Sequence, residues 1–178
     1  MMTDEKDLPA RPYAFTVCRI EPENNLHVIL EAFATPPREV PELVIVGNWG
    51  NSAYGLDLKA RFGAYGHIHL KPPIYDLEKL NRLRGNCKVY LHGHSCGGTN
   101  PSLVEAMYMG LPIIAFDVNF NRETTEKQAK YFSSAAELHE LCDNLDAEAA
   151  REVAARMKEI ADRRYTWKRI GELYAELF

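Results

Sequence analysis

The sequence predicts an open, doubly wound α/β sheet of parallel strands. Apolar runs of strand length alternate with segments of helical periodicity, five or six of each along the 178 residues. Runs such as Y-A-F-T-V-C-R and P-I-I-A-F-D are almost continuously apolar, as expected for strands buried on both faces. Glycine, asparagine and aspartate stand between most strand runs and the helices that follow them. This alternation is typical of crossover units that build one parallel sheet.

The first half of the chain is predicted to contain three strand and helix pairs. Asn24 and Asn25 can cap the first helix, and Asp76 can cap the third. The strands are predicted at 13–19, 43–47 and 67–71, and the first two helices at 26–34 and 54–62.

The second half begins with a strand at 87–91, a glycine turn and a helix. Asn100 is a favoured N-cap, and Pro101 suits the first helical position because its missing N–H has no partner there. A strand at 112–117, a polar loop at 118–127, an edge strand at 130–132 and helices at 135–144 and after 146 complete the prediction. Thr166 can cap a last helix, in which Trp167, Leu173 and Phe178 are expected to pack.

Composition bounds the class of protein. The chain is 46% apolar and 26% charged, which fits one globular core. A net charge of −4 argues against a broad surface for nucleic acid or anionic lipid, so no nucleic-acid partner is expected. The four cysteines lack metal or disulfide spacing, and there is neither a leader nor a membrane-spanning run. We therefore expect a cytoplasmic protein, with peripheral attachment to the inner membrane face as an alternative.

The turn at Gly97 and Gly98 predicts an anion site. Two glycines permit positive φ and let another group approach the backbone closely. The helix that follows presents unpaired N–H groups and a positive dipole end, which suits a diphosphate. The alternative is a tight turn without a ligand.

Two charged residues could complete that site. Glu105 lies about one turn inside the helix, where a carboxylate can accept hydrogen bonds from the vicinal hydroxyls of a ribose. Arg19 ends the first strand, at the edge where ligands collect, and a guanidinium can hold two phosphate oxygens. The alternatives are a surface carboxylate for Glu105 and an ion pair with Glu21 or Glu23 for Arg19.

Histidines and prolines supply weaker signals. His67, His69, His92 and His94 could be imagined as a metal cluster, but acidic and thiol partners do not recur at ligand spacing, so no metal is expected. His94 is better placed as a hydrogen-bond donor to phosphate or sugar. Pro73 and Ile74 follow the third strand, where an extended backbone could read a base edge.

The run H-G-H-S-C-G-G-T-N-P-S-L-V-E-A-M resembles the donor-site signature of retaining GT-B glycosyltransferases of family 4, in the branch of bacterial rhamnosyltransferases. R-I-E-P-E-N-N resembles the donor-phosphate loop of that family, with Asn24 at the position of its lysine. The family carries two glutamates here. Glu105 falls on the second, which holds the ribose, and Gly97 occupies the position of the first.

The resemblance implies a Rossmann-like domain that is one half of a GT-B architecture, at 13–178, preceded by a linker or start at 1–12. It implies a hexosyltransferase acting in bacterial polysaccharide biosynthesis, with this half inactive alone. The donor would be dTDP-rhamnose or a UDP- or GDP-sugar, used without a cofactor. The acceptor would be a glycan or lipid-linked glycan, and an N-terminal half is the missing partner. It assigns catalysis to Arg19, Gly98, Thr99 and Asn100, and donor binding to Glu105, Ser102, Leu103, Pro73, Ile74, His94 and Gly97.

Two other functions stay open from the residues. One is a non-catalytic nucleotide-binding module, since Gly97 and Asn24 stand where the family has charged residues. The other is half of a sugar-nucleotide epimerase, a class that shares the GT-B architecture.

Overall fold

A computed structural model describes residues 8–166 of the chain. Six parallel strands form one sheet in the order β3-β2-β1-β4-β5-β6. The strands are β1 (Tyr13–Val17), β2 (Glu42–Val46), β3 (Ile68–Lys71), β4 (Val89–His92), β5 (Ile113–Phe116) and β6 (Lys130–Phe132). Every neighbouring pair is parallel, so all the carboxyl ends lie along one edge. The predicted doubly wound α/β fold is confirmed.

Helices connect the strands and cover both faces of the sheet. They are α1 (Leu26–Ala32), α2 (Ala53–Phe62), α3 (Leu77–Gly85), α4 (Pro101–Tyr108), α5 (Asn119–Thr124), α6 (Ala135–Asp143) and α7 (Ala147–Arg164). One 3-10 turn, Pro22–Asn24, precedes α1. The crossovers are helical because parallel strands cannot be joined by a hairpin.

Alternate residues of each strand pack into separate cores on opposite faces of the sheet. Ala14 belongs to the core that α1, α2 and α6 cover, whereas Phe15 belongs to the core under α3, α4 and α7. The central strands are buried on both sides, which explains their nearly continuous apolar sequence. Leu8 packs against the second core, and the Arg11 guanidinium donates to the Glu42 carboxylate at 2.9 Å.

Local signals place most helix starts. Asp76 accepts hydrogen bonds from the amides of Glu78 and Lys79, as its prediction as a cap requires. Asn100 caps α4 by accepting from the Ser102 amide at 3.0 Å, and Pro101 is the first helical residue. Helix α1 differs, because its N-cap Asn25 has φ 49° and makes no side-chain cap bond.

One predicted element is wrong. The segment 118–127 was expected to be a polar loop, yet it contains the helix α5. Its inward residues are polar, since Asn121, Thr124 and Thr125 are buried. A helix whose inward face is polar shows no hydrophobic periodicity, which is why the pattern did not reveal it. Trp167, Leu173 and Phe178 lie outside the described residues.

Candidate functional site

The candidate site is a cleft of about 340 Å³ at the carboxyl edge of the sheet, between β1 and β4. The strand order reverses direction between these two strands, and ligands of open α/β sheets bind at such switch points. The cleft is lined by Val17, Cys18, Arg19, Asn24, His94, Asn100, Pro101, Ser102 and Glu105. Five residues predicted for the site therefore border one cavity: Arg19, His94, Asn100, Ser102 and Glu105.

Arg19 stands at the mouth of this cleft. Its side chain is 79% exposed, and its nearest carboxylate is Glu23, with Nη2 and Oε1 3.7 Å apart. A pair this long between solvated groups stabilises the chain little. The guanidinium is consequently free to turn toward an anion in the cleft.

His94 is held in one orientation by Asn24. The Asn24 side-chain amide donates to the Arg19 carbonyl at 2.7 Å, so its Oδ1 faces Nδ1 of His94 at 2.8 Å. An amide oxygen only accepts hydrogen bonds, so His94 carries a proton on Nδ1. Nε2 is therefore the ring nitrogen available to the cleft, and it donates only when the ring is protonated. Asn24 itself is buried by these contacts.

Neutral hydrogen bonds tie the loops after β1, β4 and β5 together. Asn25 donates from Nδ2 to the Gly93 carbonyl at 2.8 Å, and Ser95 donates from its amide to the Glu23 carbonyl at 2.9 Å. Asn121 on α5 donates from Nδ2 to the His94 carbonyl at 2.9 Å. Gly93 permits this closeness, because a Cβ there would lie 2.1 Å from the Asn24 carbonyl oxygen. These hydrogen bonds hold the edges of the cleft together.

The glycine turn supplies free amide groups. Gly97 and Gly98 have φ of 56° and 51°, the left-handed conformation that glycine adopts without strain. Within residues 8–166, no acceptor engages the amides of 97–100. Consecutive unpaired N–H groups in such a turn form a concave anion-binding nest. Gly97, Gly98 and Thr99 are exposed and lie beside the cleft entrance rather than in its lining.

The first turn of α4 offers fewer amides than the sequence implied. Pro101 has no N–H, and the Ser102 amide is occupied by the Asn100 side chain. The Leu103 amide donates to the Asn100 carbonyl at 3.1 Å, and its side chain is fully buried in the second core. Leu103 therefore presents neither group to the cleft. An incoming anion reaches the Ser102 amide only by displacing the Asn100 side chain.

Glu105 borders the cleft from α4. Its side chain is 57% exposed, and one oxygen, Oε2, accepts from Nη1 of Arg84 at 2.8 Å. The other oxygen, Oε1, has no hydrogen-bond partner in the described part of the chain. Arg84 was missed from the sequence, because its contact joins two helices and follows no local pattern.

Pro73 and Ile74 lie on the loop after β3 and do not line the cleft. Ile74 is partly buried against the second core, the cluster that Val17 of the cleft wall also joins. Their predicted contact with a base stays a prediction.

Two neutral side chains are Cys18, in the lining of the cleft, and His92, whose ring lies 6.2 Å from that of His94. Burial raises the pKa of the Cys18 thiol to about 12, an effect that the Thr16 side chain partly opposes. Burial, helped by the neighbouring His94, lowers the pKa of His92 to about 3. At neutral pH neither group is charged. Within residues 8–166 the Nε2 atom of His92 has no hydrogen-bond partner.

The remaining histidines of the imagined metal cluster have protein partners. Nε2 of His67 lies 2.7 Å from the Phe33 carbonyl, and Nε2 of His69 lies 2.8 Å from the Glu42 carboxylate. No group of three His, Cys, Asp or Glu side chains within residues 8–166 could hold a metal ion.

In the same range, no helix combines the length and apolar character needed to cross a bilayer.

A family comparison identifies the chain. The profile described as "Glycosyl transferases group 1" matches residues 4–164. The chain belongs to the group 1 glycosyltransferases. Among curated relatives, the GtfA subunit of the UDP-N-acetylglucosamine–peptide N-acetylglucosaminyltransferase from Streptococcus pneumoniae is 28% identical over 117 residues. That alignment covers 64% of this chain and 22% of GtfA. The Streptococcus parasanguinis GtfA is 30% identical over 111 residues, which are 61% of this chain and 21% of the relative.

Solved structures agree with the group 1 fold. Anabaena HepE in complex with UDP-glucose superposes with a TM-score of 0.80 at 20% identity, covering 94% of this chain and 48% of HepE. The C-terminal domain of the Francisella tularensis group 1 protein LpcC superposes with a TM-score of 0.76 at 17% identity, covering 92% of this chain and 90% of that domain. Pneumococcal GtfA with UDP and GlcNAc superposes with a TM-score of 0.71 at 22% identity, covering 98% of this chain and 37% of GtfA. This chain thus spans about a fifth of the curated relatives and about half of HepE.

Proposed function

We propose that this chain is the donor-binding half of a retaining glycosyltransferase and binds a nucleoside-diphosphate sugar in the cleft between β1 and β4. The observation that supports the proposal is that three complementary groups lie at or beside one cavity. These are the unpaired amides of 97–100, with Asn100 in the lining and 97–99 beside it, the Arg19 guanidinium and the Glu105 carboxylate. The first two groups match a diphosphate and the third matches ribose hydroxyls.

The chemistry follows from where charge develops. The acceptor hydroxyl oxygen bonds to the anomeric carbon, the bond from that carbon to phosphate oxygen breaks, and the nucleoside diphosphate leaves. The hydroxyl proton passes to the leaving phosphate oxygen or to solvent. Negative charge grows on the leaving phosphate, so preformed donors stabilise the transition state more than the ground state. Gly98, Thr99 and Asn100 would act through their amides and Arg19 through its charge. His94 would contact the donor through Nε2, and Gly97 would shape the turn.

The donor and acceptor are finer parts of the proposal. The sequence resemblance makes dTDP-rhamnose the first donor to test, and UDP-sugars the second because HepE and GtfA were solved with UDP. Pro73 and Ile74 would contact the base. The acceptor would be a growing bacterial glycan, free or lipid-linked, at the cytoplasmic face of the inner membrane. A GT-B half preceding this one would supply the acceptor groove.

Titration calorimetry of the 178-residue chain with dTDP, UDP and GDP tests the binding function. We expect measurable heat for at least one nucleotide and equal affinity in EDTA and in Mg²⁺, because the proposed contacts need no metal. The absence of binding to all three at millimolar concentration would refute the proposal.

Combination with an N-terminal GT-B half then tests the reaction. Transfer of labelled sugar to a glycan supports the enzyme. Nucleotide binding without transfer supports the non-catalytic module, and a donor epimer in the product mixture supports the epimerase.

A further inference from the structure

Arg84 is the buried cation of the described chain. It lies on α3, and its side chain is 6% exposed, whereas the Glu105 side chain that it contacts is 57% exposed. The two helices enclose a groove of about 580 Å³ lined by Leu77, Leu80, Asn81, Arg84, Val104, Glu105, Tyr108 and Met109. Glu105 borders both this groove and the donor cleft, so Arg84 reaches the cleft wall from behind.

The contact is incomplete as a structural ion pair. Nη1 of Arg84 donates to Oε2 of Glu105 at 2.8 Å, but Nε is buried and has no acceptor within residues 8–166. A buried guanidinium loses its hydration, and an unpaired buried N–H adds to that loss. An apolar side chain of similar length would suit the apolar lining of the groove better. Fold stability therefore gives no reason for an arginine at this position.

The contact has a clear effect on Glu105. A half-exposed glutamate samples many rotamers, and a ligand that uses its carboxylate must first restrict them. The hydrogen bond from Arg84 fixes one oxygen and leaves Oε1 without a partner in the described chain, on a residue that borders the cleft.

We propose that Arg84 is a positioning residue, which holds the Glu105 carboxylate ready to accept hydrogen bonds from the ribose of the nucleotide donor. The inference rests on the proposed donor-binding function. It predicts that Arg84 contributes to binding of the nucleoside part of the donor and contributes nothing to binding of the diphosphate.

A double-mutant cycle of Arg84→Met and Glu105→Ala tests the inference, with UDP and inorganic pyrophosphate as probes. We expect Arg84→Met to weaken UDP binding about three- to tenfold, the range for ordering one long side chain. Pyrophosphate lacks a ribose, so its affinity should stay within twofold of the parent. In the Glu105→Ala background, Arg84→Met should cause no further loss of UDP affinity.

Thermal unfolding of the same four proteins separates positioning from a structural role. Arg84→Met should leave Tm unchanged or raise it, because it removes a desolvated charge. Glu105→Ala should lower Tm by leaving that charge unpaired, and the double variant should regain it. Arg151→Met, an exposed arginine on α7, is the matched control and should change neither UDP affinity nor Tm.

Four results would overturn the inference. Equal losses of UDP and pyrophosphate affinity with a lower Tm would show a structural role. Additive losses of UDP affinity in the cycle would show that Arg84 does not act through Glu105. A parent protein that binds pyrophosphate but none of UDP, dTDP and GDP would refute the ribose role of Glu105. A parent protein that binds neither pyrophosphate nor any of these three nucleotides would refute the donor-binding function as well.

Discussion

Replacing Gly93 by alanine should loosen the donor cleft without touching a ligand group. The added Cβ would lie 2.1 Å from the Asn24 carbonyl oxygen and 3.0 Å from Cδ1 of Ile29. Ordinary contacts begin near 3.4 Å, so the Asn24 backbone must retreat by about 1.3 Å. Gly93 has a negative φ, so the strain is steric and alanine is compatible with the backbone conformation.

That retreat breaks the hydrogen bonds between the loops after β1 and β4. Four bonds span the gap, at 2.8 Å from Asn25 to Gly93, 2.8 Å between His94 and Asn24, and 2.9 and 3.0 Å from the Ser95 amide and hydroxyl to the Glu23 carbonyl. Each contributes about 0.5–1.5 kcal/mol, so we expect an unfolding free energy lower by about 2–6 kcal/mol. For a domain of this size the Tm should fall by roughly 10 °C.

Denaturant unfolding and UDP titration check this prediction together. At a temperature where both proteins are folded, Gly93→Ala should bind UDP at least about fivefold more weakly, because the His94 ring loses its fixed orientation. Gly66→Ala is the control, since nothing lies within 4 Å of its added Cβ. A Gly93→Ala protein with parental stability and affinity would show that the contact between the loops does not organise the cleft.

Three further predictions follow from the same geometry. Arg19→Ala should lower the affinity for every nucleoside diphosphate about five- to tenfold in a calorimetric titration, and the difference from the parent should be smaller in high salt. Arg151→Ala should leave these affinities unchanged. Glu105→Gln should reduce affinity for UDP more than for 2′-deoxyuridine diphosphate, because the deoxy sugar offers one hydroxyl fewer. The control Glu148→Gln should reduce neither affinity. Equal losses of affinity for both nucleotides would contradict a ribose contact. His92 has a pKa lowered to about 3 in the folded chain, so its contribution to stability is complete above the unfolded value near 6.5 and is lost as pH falls toward 3. As pH falls below 6.5, the unfolding free energy should therefore decrease by up to about 1.4 kcal/mol per pH unit. His92→Leu should make this pH dependence less steep and should leave the pH dependence above pH 7 unchanged.

The sheet and most helices were predictable because their signals are local. Strands buried on both faces read as unbroken apolar runs, and the start of α4 is marked by the dipeptide of Asn100 and Pro101. Helix α5 was not predictable, since the residues that it turns inward, Asn121 among them, are polar. The Asn121 side chain is buried because it donates hydrogen bonds to two backbone carbonyls, and such contacts leave no hydrophobic period in the sequence.

The candidate site was predictable where backbone chemistry decides it. Two adjacent glycines predict a turn in which positive φ costs no strain, as Gly97 and Gly98 show, and Arg19 follows from its place at a strand end. Arg84 meets Glu105 across 21 positions of sequence, so only the packing of α3 on α4 reveals it. The Leu103 side chain points away from the cleft because the helical period turns it into the core.

The hydrogen bonds that join the loops after β1, β4 and β5 are made largely by asparagine side-chain amides and main-chain groups, which carry no net charge. Dissolved ions screen charged partners far more than they screen such dipoles. Raising the ionic strength should therefore leave the scaffold in place while weakening the attraction of the cleft for anions. The slope of affinity against salt concentration would then count charges on the bound molecule, a simple way to tell a diphosphate from an uncharged sugar.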